Sequence, residues 1–89
     1  MLKLVIKDKN EYANYVLEDK NNKSYEVNIN FMEVTLPNVG DYIYIPEKVL
    51  QEKVSLNYGL IDSTNDINEE ELIVIVSNNK KIYLQRFYG

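Results

Sequence analysis

YEVNINF, residues 25–31, decides the class of this chain. Tyr25, Val27, Ile29 and Phe31 fall on one side of an extended backbone, and Glu26, Asn28 and Asn30 fall on the other, because successive side chains of a strand point to opposite faces. That alternation is the mark of a half-buried antiparallel strand. Working outward, EYANYVLED (11–19) places Ala13, Tyr15 and Leu17 on one side, and DKNNKS (19–24) between the two is the polar, asparagine-rich connection of a hairpin. After Phe31 the apolar parity passes to Met32 and Val34, which predicts a bulge or bend near Phe31–Met32.

The rest of the chain follows the same period. LKLVIK (2–7) carries Leu2, Leu4 and Ile6 on one face, and KDKN (7–10) turns the chain. In LPNVGDYIYIPEKVL (36–50), Gly40 supplies the positive φ of a turn, Asp41 tolerates turn geometry, and residues 41–45 make a short strand closed by Pro46. PEKVLQEK (46–53) reads as one short helical turn opened by that proline. VSLNYGLI (54–61) resumes period two through Val54, Leu56, Tyr58 and Leu60, with a bulge expected at Gly59. DSTNDINEEE (62–71) is a polar loop, ELIVIV (71–76) is apolar on both faces and belongs in the middle of a sheet, and SNNK (77–80) turns into the last strand, KIYLQRFYG.

About six or seven short strands with one helical turn near residues 46–53 predict an all-β fold, a small antiparallel β-barrel, over a single domain of residues 1–89. The order of elements resembles an OB-fold, a five-stranded Greek-key barrel, in layout. The GDxIxI pattern of residues 40–45 looks like the turn-and-strand of many small barrels, with an SH3-like barrel as the alternative. An additional N-terminal strand and a seventh element depart from the plain OB pattern.

Composition excludes several chemistries. The chain has no cysteine and no histidine, which removes disulfides, zinc–thiolate sites and the usual general base together. Serines 24, 55, 63 and 77 have no histidine to activate them, and the three glycines are too dispersed for a phosphate loop. The chain is therefore expected not to be an enzyme and to need no cofactor. Counted as a calcium loop from Asp62, the sixth position is Ile67 and the twelfth Ile73, so the glycine and bidentate glutamate of an EF-hand are missing and no metal is expected. Glu69–Glu71 read instead as solvated residues shielding the strand that follows. No apolar run approaches the ~18 residues of a membrane span, and a cytoplasmic location is the default.

What remains is a surface. Ile43 and Ile45 share the inner face of their strand, so Tyr42 and Tyr44 share the outer one; Ile82 and Leu84 inward turn Lys81, Tyr83, Gln85 and Phe87 outward. Such tyrosines either cover a second packing layer or form an exposed platform. If the two strands lie close, Tyr42, Tyr44, Tyr83 and Phe87 make one aromatic face, with Lys81 and Tyr88 at its edge. Arg86 and Lys80 have inward parity and are expected at a barrel rim. Aromatics with cations suit a protein interface, including a homodimer, or a single-stranded nucleic acid. The net charge of −4 opposes a phosphate backbone and puts the protein partner first. The expected function is thus a non-catalytic protein-interaction or assembly module, with OB-like single-stranded nucleic-acid binding as the alternative.

Overall fold

The computed structural model describes residues 1–35, 37–62 and 64–88. Leu36 at the head of the 36–50 stretch, Ser63 in the acidic loop and the terminal Gly89 lie outside the described residues. Seven strands are formed: β1 (Leu2–Lys9), β2 (Asn14–Glu18), β3 (Ser24–Met32), β4 (Tyr42–Ile45), β5 (Leu56–Leu60), β6 (Leu72–Ser77) and β7 (Lys80–Phe87). They hydrogen-bond in the ring order β1-β2-β3-β5-β7-β6-β4, with β4 returning to β1, so the sheet closes into a barrel. Closure removes every free edge among these strands.

The turns form where the sequence supplies the needed backbone freedom. Asn78 and Asn79 both take positive φ, 50° and 65°, which is the two-residue hairpin geometry that matches strand twist. At the β2–β3 connection the Asp19 carboxylate accepts from the backbone N–H groups of Asn21 and Lys23 at 2.8 and 2.9 Å, while Asn22 takes φ 65°. Gly40, at φ 95°, makes the turn into β4, and its N–H donates to the Ile6 carbonyl at 2.9 Å. Asp41 closes the same turn by accepting from the Asn38 N–H at 2.9 Å.

The inner face of the ring is the core. Leu4, Ile6, Leu17, Ile29, Ile43, Ile45, Leu56, Ile73, Ile75 and Leu84 are essentially inaccessible to water. Outside β6, whose sequence is apolar on both faces, each lies on the inward parity of its strand. One end of the barrel is plugged by a 3-10 turn, Glu47–Gln51, which sends Val49 and Leu50 into the core. A second 3-10 turn, Glu69–Glu71, lies within the acidic loop, and Lys48 on the first reaches Glu70 on the second at 2.7 Å.

Several expectations are corrected. The barrel is not wholly antiparallel: β3 and β5 run parallel, from Ile29 beside Leu56 to Met32 beside Gly59. The chain between them passes through β4 and the plug, and such a crossover lets a strand return in the same direction. The slip after Phe31 is a strand end, not a bulge; β3 stops at Met32, and Glu33 turns the chain at φ 63°. The register shift falls instead on β1 between Ile6 and Asp8, opposite β2. Ala13 lies outside β2 in a left-handed turn at φ 65°, and Val54 precedes β5 and is exposed. The helical turn is a short 3-10 segment with Pro46 as its N-cap, rather than a helix over 46–53.

Gly59 makes no bulge either, since the β5–β7 register is unbroken from Asn57 to Leu60. Its missing side chain has another reason. The Phe87 ring lies directly on it, and a Cβ there would overlap that ring.

Candidate functional site

The ring order decides what the outer tyrosines meet. β6 sits between β4 and β7, so the two strands that carry the aromatics are separated by one strand. Register then aligns the outward residues in two rows. One row runs Lys3, Tyr44, Val74, Tyr83; the next runs Val5, Tyr42, Val76, Lys81. Valines on β6 therefore form a floor, with Tyr42 and Tyr44 on one side and Lys81 and Tyr83 on the other.

Burial follows from that arrangement. Val74 is only 9 % exposed, whereas Tyr42 and Tyr83 keep 44 % and 37 % of their surface in water. Flanking rings cover the short floor residue, and the rings themselves remain at the surface. The Lys3 ammonium lies 4.5 Å from the Tyr42 ring centroid and 5.9 Å from that of Tyr44, a cation over two electron-rich faces. Sequence reasoning missed Lys3, Val74 and Val76. The outward parity of Lys3 is legible in LKLVIK, but ELIVIV is apolar on both faces, and nothing local says that β1 and β6 flank β4.

Phe87 and Tyr88 are not gathered with the three tyrosines. Phe87 lies farther along β7, in register with Asn57 and above Gly59. Tyr88 follows β7 and stacks near Arg86, whose guanidinium carbon is 4.7 Å from the ring centroid. Arg86, on inward parity at the end of the barrel, donates from Nη1 and Nη2 to Glu52 Oε2 and Oε1 at 2.7 and 2.8 Å. This paired fork ties β7 to the segment that leaves the plug. The hydrogen bonds from Arg86 hold the Glu52 carboxyl below its usual range. Beside this pair, Tyr58 is fully buried, and its hydroxyl finds no hydrogen-bond partner among the described residues. Burial, with a smaller contribution from Glu52 and against the pull of Arg86, pushes its pKa up to about 12.

A separate open groove of about 690 Å³ runs between the β2–β3 hairpin and residues 52–55. Its charges are mixed, Asp8, Glu26 and Glu52 against Lys9 and Lys53, and Glu52 is already engaged by Arg86. Among the described residues no three His, Cys, Asp or Glu side chains gather as a metal ion would require. No helix among them is long and apolar enough to cross a membrane. No protein-family model, curated protein or solved structure matches this chain.

Proposed function

We propose that this chain, over residues 1–89, is a non-catalytic protein-interaction or assembly module of the cytoplasm, working through the outer face of β1, β4, β6 and β7. The observation that carries the reading is the convergence of Tyr42, Tyr44 and Tyr83 around the β6 valines, with Lys3 and Lys81 at the margins. Tyrosine brings large contact area at low conformational cost and is enriched where proteins meet. A closed barrel offers no edge for strand addition, which leaves a face as the means of contact. Absence of histidine and cysteine supports a non-catalytic role. Phe87, Tyr88 and the Arg86–Glu52 fork form a second, separate contact point on β7.

The alternative is an OB-like barrel whose tyrosines stack the bases of a single strand. Lysines interleaved with aromatics favour it. Against it stand the net charge of −4 and the position of Lys3, which covers the Tyr42 ring that a base would need.

The test is affinity purification of a tagged chain beside its Tyr42→Ala/Tyr44→Ala variant, with circular dichroism confirming that both fold. The expected result is a defined set of proteins recovered with the parent and lost with the variant. Identical recovery by two folded proteins would sink the reading. Fluorescence anisotropy of a labelled mixed-sequence single strand, at low and near-physiological salt, tests the alternative, because phosphate contacts weaken steeply with salt.

A further inference from the structure

The tyrosine face is a trough, and its shape and charge define what it takes. β4 and β7 each lie one strand spacing from β6, so the walls stand about 9–10 Å apart at the backbone. Leu72, Val74 and Val76 alternate outward along β6 and form a floor about 13–14 Å long, the length of roughly four extended residues. Walls and floor together enclose roughly 120–140 Å², well short of the ~800 Å² per partner typical of a stable dimer. That area suits a segment of chain lying along β6 better than a second globular copy.

Charge selects among segments. The protein is acidic as a whole, yet the end of the trough at Val76 gathers cations. Lys81 is in register with Val76, and the Lys3 ammonium reaches over Tyr42 in the same row. The carboxylates of Glu69, Glu70 and Glu71 precede Leu72, at the opposite end. A surface with cations at one end and apolar residues along its floor complements an anionic, partly apolar ligand. Resting on the docking role proposed for this face, we propose that the trough binds an extended peptide segment that sets an apolar residue against the exposed rings of Tyr42 and Tyr83, beside the covered Val74, and carboxylate side chains against Lys3 and Lys81. Tyrosine rings already covered by an ammonium favour such side chains over flat bases, which need a bare ring to stack on.

The experiment uses the intact chain and two fluorescein-labelled hexapeptides. One has three glutamates followed by valine, leucine and valine; the other replaces the glutamates with lysines. The expected result by anisotropy at low salt is binding of the acidic peptide about tenfold or more tighter than the basic one, a preference that added salt reduces. Lys3→Glu/Lys81→Glu, folded by circular dichroism, is expected to abolish or invert that preference. Equal binding of both peptides, lost in Tyr42→Ala/Tyr44→Ala, would overturn the acidic specificity and leave the docking role standing. Binding of neither peptide, or binding untouched by every substitution on the face, overturns the inference. A labelled single strand that displaces the acidic peptide through the same residues overturns it in favour of nucleic acid.

Discussion

The two sides of this barrel share one core and differ outside it. On the β2–β3–β5 side the outward residues include Asn14, Asn28, Asn30 and Asn57, which bond to one another in pairs. Asn28 Nδ2 donates to Asn14 Oδ1 at 2.8 Å and to the Tyr12 carbonyl at 2.9 Å, and Asn30 Nδ2 reaches Asn57 Oδ1 at 3.4 Å. On the β1–β4–β6–β7 side the outward positions hold Tyr42, Tyr44, Val74, Val76 and Tyr83, side by side in register, with the Lys3 ammonium over Tyr42. The asparagine wall bonds its own side-chain amides within the chain. The tyrosine wall leaves apolar surface in water that its own strands do not need for closure, and exposed apolar surface gathered in one place marks a contact site.

The seam between the walls is the place to break that contrast with the largest effect. Gly59 and Phe87 meet there, and Gly59→Ala is expected to push the half-exposed ring aside and lower stability by about 1 kcal/mol, the low end of what overpacking a core costs. Chemical denaturation measures it. A loss below a few tenths would mean that Phe87 is free to leave and that the two walls are not joined through it.

Single substitutions on each wall should behave differently. Asn28→Ala removes two side-chain hydrogen bonds and is expected to cost about 1 kcal/mol of stability, while Tyr83→Ser, at a partly exposed position, should cost less than that. If the tyrosine proved the more costly of the two, its wall would be structural, and the docking role would lose its support.

The smallest effect is one of pH, at the barrel end where neither wall dominates. Glu52 titrates below its ordinary value because Arg86 donates to it. A carboxyl depressed on folding contributes stability that is present above its unfolded pKa and fades as pH falls through the folded value. Unfolding free energy should therefore drop as pH falls below about 4.5, the ordinary value for this group. Glu52→Gln should flatten that slope by no more than about 1 kcal/mol, the pair being partly exposed. A slope unchanged in the variant would show that Arg86 and Glu52 do not hold the plug segment in solution.

Legibility varied by kind of feature. In GDYIYIP (40–46), Gly40 does make the turn, at positive φ, and Ile43 and Ile45 do enter the core, which puts both tyrosines outside. Tyr83 and Lys81 were read correctly as outward for the same reason. Gly59 was misread because a glycine in a strand announces only that something approaches closely, and the approaching group, Phe87, is distant in sequence. Phe87 itself had the right parity but the wrong company, because four residues along a strand carry it about 13 Å from Tyr83.

The amino-acid sequence by itself determined the all-β class, the inward and outward faces of every strand but the doubly apolar β6, and the turns at Asn78–Asn79 and Gly40. These depend on pleat and local φ, which neighbouring residues control. Only the tertiary structure decided that β3 and β5 run parallel, that β6 lies between β4 and β7, and that Lys3 comes to rest over Tyr42. Which strands become neighbours depends on register and crossovers between segments far apart in the chain, and a period of two is the same whatever strand lies alongside.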